Sequence, residues 1–494
     1  MRNNSWTNVV VACLLAAPIA TLGTVIAPAQ DAQPKVRHHR YKVVDVGTFG
    51  GPNGDVLLPP PSTRILNNVG MFVGAGETTE PDPFSPNCFN PDCLVEDGLL
   101  RFAGTSINIG TLKPGYSGLP ISINDFGVAV GYSQNGEIDP LLRTGELKAA
   151  LWKNGRVIDV GTLGGNGASA NAINNRGQIF GGALNTTPDP DPFDPFFVPG
   201  ATQVHAVLWE HGSIHDLGTL GGTDSVVYQA NELGQAMGVS FTDNATHEST
   251  GLPTLHAFLW ERGKMHDVGS LGGNESRGFG LNNRGEVVGF SLLAGDATEH
   301  PFVWRRGNLI DLGTLGGDNG RARAINDSGN VVGRADLPGS QAHHAFLWRH
   351  HEMKDLGTPH GNACSTGAKI NLFDQVVGDS GECNIGGDPF LWENGDIVAL
   401  SDLIVPGSGR VVFDAIDIND RGEIVSLCAT PEGNFHVCLL LPTGEARPDL
   451  AQETSQQPLS DALPRAKYPQ TGERSTSIRR GQAKTEVHRR ALER

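Results

Sequence analysis

Short apolar runs bounded by glycine and asparagine recur along this chain, and they fall into three phrases in fixed order. The first is a strand-like run with an aromatic end: "KAALW" at 148, "HAVLW" at 205, "HAFLW" at 256, "HPFVW" at 300, "HAFLW" at 344 and "DPFLW" at 388. The second is "DLGTLGG" at 216 and 311, with near-copies at 45, 159, 267 and 355. The third is "AINNRGQIFGG" at 172, echoed at 280, 324, 369 and 417. Each cycle holds about four β-type segments separated by turn residues, the pattern of successive short strands.

The aspartate of the second phrase falls at 159, 216, 267, 311 and 355, so the shortest spacing is 44 residues. That is the length of a four-stranded propeller blade. The asparagine of the third phrase occurs as Asn67, Asn124, Asn174, Asn231, Asn282, Asn326, Asn371 and Asn419. Eight such positions predict an all-β fold, an eight-bladed β-propeller of about 44-residue four-stranded repeats spanning 41–448. The ends sharpen this. "YKVVDVG" at 41–47 is a last strand without predecessors, and "FDAIDIN", "GEIVSLC" and "HVCLLL" are three strands without a fourth. Joining the N-terminal strand to the C-terminal blade would close the ring and cover two bare edges.

Each phrase has a mechanical reading. In "INNRGQIF" the asparagine bonds its own following backbone and the glycine takes positive φ, making a tight hairpin. "GTLGG" puts glycine where the chain turns between blades with little space for a Cβ. Trp152, Trp209, Trp260, Trp304, Trp348 and Trp392 are expected on third strands, packed between blades rather than stacked on sugars. His205, His256, His300, His344 and His436 share one repeat position and are expected to be satisfied by backbone or water, because equivalent sites on different blades are too far apart to share an ion.

Length variation falls between second and third strands, at 76–97, 134–147, 184–204 and 241–255, on the side of the "GTLGG" crossovers. A scaffold that varies on one face is one that binds there. Asp224, Asn274, Glu275, Asp318, Asn319 and His360 are therefore the candidate ligand-face residues. Two insertions, "TTEPDPFSPNCFNPDC" from 78 and "TTPDPDPFDPFF" from 186, supply Asp82, Asp92, Asp189, Asp191 and Asp194. These are oxygen ligands suited to calcium, although no EF-hand spacing or D-x-D-x-D-G string is present and a solvated acidic loop explains them better.

Composition agrees with many turns: 65 Gly and 31 Pro in 494 residues, without a Gly-x-y period. The formal net charge is −17, and the basic residues after Asp449 make the body more acidic still. Such a surface repels phosphate backbones and argues against nucleic acid as a partner. Residues 1–29 read as a secretory signal peptide ending at Ala27-Pro28-Ala29, leaving no membrane span after its removal, followed by a linker at 30–40. Residues 449–494 lose all periodicity and read as a disordered tail. Beyond the leader lie six cysteines, an even number that suits an oxidising compartment. Fifteen pairings are possible, and sequence neighbours suggest Cys88-Cys93, Cys364-Cys383 and Cys428-Cys438.

No G-x-S-x-G, H-E-x-x-H or P-loop is present. Paired carboxylates near an axial opening, drawn from Asp224, Glu275 and Asp318, would suit a polysaccharide- or peptidoglycan-acting hydrolase or lyase, though nothing in the sequence marks a pair. The composite "HAFLW…DLGTLGG…AIN…G…VVG" resembles the bacterial family of probable extracellular proteins with HAF repeats. The resemblance covers about 41–441 and implies secretion and a repeat fold; it brings no catalytic residue. The expectation is a secreted, monomeric binding or interaction module for a carbohydrate, peptide or protein partner. It has no cofactor beyond the calcium just considered.

Overall fold

The computed structural model describes residues 38–56, 64–139, 145–189, 202–383 and 385–446. The expected leader, most of the expected linker, the C-terminal tail, Asp191 and Asp194 lie outside them. The described residues form an all-β array of 32 strands, with one four-residue helix at Leu400–Leu403. Six sheets have four strands each, and a seventh has eight. The seventh is two four-stranded meanders that touch at a single parallel pair, Leu255 with Glu275.

One sheet stands for the pattern. Ala168–Ile173, Ile179–Pro188, Thr202–Glu210 and Ser213–Asp216 pair antiparallel in chain order. The first strand is buried along its whole length, while the fourth is mostly exposed. Apolar clusters lie between neighbouring sheets, as where Val130 and Ala149 of one meet Ile179, Val207 and Trp209 of the next. The indole Nε1 of Trp209 donates to Gly161 O of the preceding crossover (3.2 Å). The tryptophans are thus inter-sheet packing residues, the role their spacing predicts.

The last sheet is assembled from both ends of the chain. Val411–Ile418, Ile424–Ala429 and Phe435–Ala446 are joined by His39–Asp45, which pairs antiparallel with Phe435–Ala446. The ordered strand begins two residues before the expected boundary at 41. His38, read from sequence as linker, is buried and bonds Glu393 and Asp396. Val425, Val437 and Leu439 of this sheet share an apolar cluster with Val56, Phe72 and Leu99 of the sheet that follows residue 50.

The eight asparagines do more than make turns. In Asn282, Oδ1 accepts from the backbone N–H groups of Arg284 and Glu286, as the turn reading requires. Nδ2 donates to Asn326 O, the carbonyl of the equivalent asparagine one repeat on. The same donation runs from Asn67 through Asn124, Asn174, Asn231, Asn282, Asn326 and Asn371 to Asn419, and Asn419 donates back to Asn67 O, all at 2.9–3.2 Å.

A second regularity was not anticipated. Most first strands carry a bulge three residues before the asparagine, as at Asn171 and Tyr228. Opposite it the second strand has glycine, and a Cβ on Gly238 would stand 1.8 Å from Val226 O. The "VVG" glycine is therefore the partner of a bulge, a place where two backbones come too close for any side chain.

Candidate functional site

The repeat histidines are engaged with aspartate, where the sequence reading expected backbone or water. His205, His256, His300 and His344 each turn Nδ1 to the aspartate of the following "DLG", at 2.8–3.1 Å and eleven residues on. His436 does the same with Asp45 across the two ends of the chain (2.9 Å). Each aspartate also accepts the N–H two residues on, as Asp216 does from Gly218. The bond to Asp216 holds the His205 imidazole above its usual pKa. Burial pushes Asp216 up, but His205 and the Gly218 N–H outweigh it and its carboxyl lies low. These pairs fasten third strand to fourth strand and leave no shared ligand set.

Asp224, Asp318, Asn319 and His360 occupy the crossovers, Asn274 and Glu275 lie at the start of the strand Gly272–Leu281, and all but His360 fall at two adjacent positions of the repeat. Asp224 is buried; its Oδ1 accepts from Val204 N and its Oδ2 from the Thr223 hydroxyl. Burial raises its carboxyl to about 6. Asn319 Oδ1 accepts from Glu299 N, and its amide donates to Asp336. Both latch the start of the third strand in the preceding meander, one residue before the repeat histidine. Asn53 does so at Phe435, and the Cys364 sulfur accepts from His343 N. Asn274 binds Asp296, Glu275 pairs with Arg277 at 2.5 Å, and Asp318 exchanges hydrogen bonds with Ser340. His360 sits between Asp388 and Asp402 (3.0 and 3.1 Å).

The three expected disulfides form: Cys88–Cys93, Cys364–Cys383 and Cys428–Cys438. His343, Cys364 and Cys383 bring potential metal-ligand atoms within 4.8 Å of one another. Both sulfurs belong to a disulfide, so they offer no thiolate.

Residues not singled out in the sequence converge beneath the first insertion. Phe72–Pro81 and Leu94–Phe102 form an antiparallel hairpin that places Glu77 directly opposite Glu96. Asp55, at the end of Gly50–Asp55, pairs with Ala75 and so shares their side of the sheet. Like charges directly opposed on a sheet repel, yet both glutamates are almost fully buried, Glu77 at 1 % and Glu96 at 2 % exposure. Burial drives all three carboxyls up: Asp55 to about 6, Glu77 to about 7, and Glu96, with added repulsion from Asp55, well above the normal range.

The insertion is organised to hold this group. Asp82 accepts from the Phe84 and Phe89 N–H groups, and the Cys88–Cys93 bridge closes the loop. Asn90 is thereby set in the middle: Nδ2 lies 2.9 Å from Glu96 Oε1, 3.4 Å from Glu77 Oε1 and 3.0 Å from Leu94 O. Asp92 accepts from the Asn53 amide. Asp82 is thus a buried loop organiser, not part of a solvated acidic loop as the sequence reading favoured. Beside the cluster a cavity of about 330 Å³ is lined by Asp55, Glu96, Tyr132, Gln134, Asp139 and Glu146, among others. Lys148 stands near its rim, paired with Glu146 at 3.0 Å.

Another acid cluster has counter-charges. Asp379 and Asp414 are hydrogen-bonded to each other near Arg323, and Asp417 lies near Lys369. For Asp55, Glu77 and Glu96 the neighbours that act on them are other carboxyls and amide or backbone donors.

No protein-family model matches the chain, and no curated protein matches it. Among solved structures it is similar to the β-propeller domain of the Trilobed protease from Pyrococcus furiosus (11 % identity, 65 % of this chain, 91 % of that chain, TM-score 0.39). It is also similar to TolB from Acinetobacter baumannii (11 %, 67 % and 86 %, TM-score 0.30) and a gluconolactonase from Xanthomonas campestris (10 %, 64 % and 89 %, TM-score 0.26). At these scores the likenesses carry no residue correspondence.

Proposed function

We propose that this chain is a closed eight-bladed β-propeller, an exported and monomeric protein of the HAF-repeat kind, that binds an extracellular ligand through its insertion-bearing face. Support for the ring comes from the asparagine series that returns to Asn67 and from the strand His39–Asp45 completing the last sheet. Support for export comes from the leader-like N-terminus and three disulfides; no helix among the described residues is long and apolar enough to cross a membrane.

The observation that carries the binding role is the cavity of about 330 Å³ at the base of the disulfide-pinned insertion. It is of ligand-pocket size and combines aromatic walls, Phe89 and Tyr132, with converging polar groups. Its acidic lining disfavours anions and fits a neutral or basic saccharide, or the side chains of a basic peptide. A glycan array and a panel of basic peptides, probed with the mature chain and with Gln134→Ala, test this. Binding that weakens at least tenfold in the variant is expected. Equal binding by both would remove the pocket from the reading.

One observation favours a second, catalytic reading: burial raises the Glu96 carboxyl beside the cavity, which favours the protonated form a general acid needs. Release of product from a bound polysaccharide, lost in Glu96→Gln, would move the protein to the hydrolase class.

A further inference from the structure

The two sulfurs of the Cys364–Cys383 bridge stand in unlike surroundings. Cys364 is buried at 3 % exposure, whereas Cys383, in the turn after Val376–Glu382, is partly exposed. The buried sulfur also faces donors. It accepts from the His343 backbone N–H at 3.2 Å, and His343 Nδ1 lies 3.6 Å from it. In other units the same latch ends on an oxygen: Asp224 accepts the Val204 N–H at 2.8 Å, and Asn319 accepts the Glu299 N–H at 3.2 Å. The repeat thus aims a backbone donor at a side-chain acceptor, and in one unit that acceptor is a carboxyl group. A disulfide sulfur is a weak acceptor, while an ionised group makes a bond about twice as strong. The contact at Cys364 therefore strengthens when the bridge is cut so that the charge lands there.

We propose that Cys364–Cys383 is a thiol-exchange site, a clasp beside the crossover that an external thiol or dithiol opens by attack at Cys383. The attacking thiolate forms a new S–S bond to Cys383 Sγ. The Cys364–Cys383 bond breaks, and its electron pair leaves on Cys364 Sγ. The His343 N–H holds that thiolate, and the imidazole beside it, when protonated, offsets its charge or hands it a proton. With a dithiol, the second thiolate then attacks the dithiol's own sulfur in the mixed disulfide and releases Cys383. The dithiol ends as a disulfide, and the bridge has taken up two electrons and two protons. Burial shields Cys364 from attack, and a leaving thiol whose pKa is lowered by a nearby donor or cation departs faster. Opening the bridge spares the sheet. Cys364 stays paired with Gly381, and its carbonyl keeps the Ser380 hydroxyl at 2.9 Å, so what is released is the turn that carries Cys383.

The test exposes the natively folded full mature chain to reduced glutathione and, in a second series, to dithiothreitol. Free thiols are blocked with iodoacetamide over time and mapped by mass spectrometry. Glutathione is expected on Cys383 and the blocking group on Cys364. Cys428 and Cys438, both at 0 % exposure, should stay bridged over the same period. His343→Ala and His343→Gln keep the backbone donor and remove the imidazole. Each should slow the opening of Cys364–Cys383 by about three- to tenfold, because a less acidic thiol leaves more slowly. Opening of Cys88–Cys93 in the same samples should not change, which separates this loss from a general change in the fold. Glutathione on Cys364, earlier opening of Cys428–Cys438, or a bridge that resists both thiols until the chain unfolds would overturn the proposal. So would an unaltered ratio of the Cys364–Cys383 rate to the Cys88–Cys93 rate in both variants.

Discussion

A single asparagine serves at least three hydrogen-bonding groups in each repeat. Asn282 is 3 % exposed, and its side chain satisfies two N–H groups of its own turn and one carbonyl of the next. Asn282→Ala should therefore cost about 2–4 kcal/mol, because it strands several buried groups at once. Asn283→Ala next to it, an exposed position, should cost less than about 1 kcal/mol. Urea unfolding of the two variants checks this, and equal losses would deny the asparagine series its role. The turn half of this role was legible, since asparagine five residues before an apolar run, with glycine between them, is a local signal. The other half was not: which carbonyl Nδ2 meets depends on how one sheet leans on the next. The same holds for Gly238, whose neighbour across the strands, Val226, is brought close by a bulge no pattern announces.

At the level of strands, the histidine–aspartate pairs carried a signal that could have been found. The separation is eleven residues in four units. Where the third strand begins with Asp388, the position eleven further on is Ala399; where it holds Asp97, that position is Asn108, which donates to it. The two positions change together within one chain, as contacting positions do. Glu77 and Glu96 gave no such sign. They belong to one repeat, and their apposition depends on the register of a hairpin interrupted by an insertion. The pairs also predict how the closing strand responds to acid. Burial pushes Asp45 up, but His436, Arg410 and the Gly47 N–H outweigh it and hold the carboxyl at about 2 against an ordinary 3.8. A depressed carboxyl stabilises the fold fully above its unfolded value and progressively less as pH falls towards its folded one. Stability from Asp45 should thus be intact above about pH 4 and drain away towards about pH 2. Asp45→Asn should lower the urea midpoint at pH 6 and lose less on going from pH 4 to pH 2. An unchanged acid slope would show that Asp45 does not hold the strand.

At the scale of the molecule, the two chain ends carry the proposed ring. The pairing of the two ends was legible because the repeat is cut in mid-unit, leaving one strand at the start and three at the finish. The site was less so: two of the residues chosen for their chemistry, Asp224 and Asn319, turn out to latch neighbouring sheets, and the acids that converge on the cavity come from strands beside the crossovers. A ring closed by an added strand makes a specific demand on exchange. Hydrogen–deuterium exchange of the native chain should find the 42–45 amides protected to the same degree as those of 438–441, the partners they pair with. Exchange of 42–45 at the rate of an exposed terminus, with 438–441 behaving as a bare edge, would contradict closure.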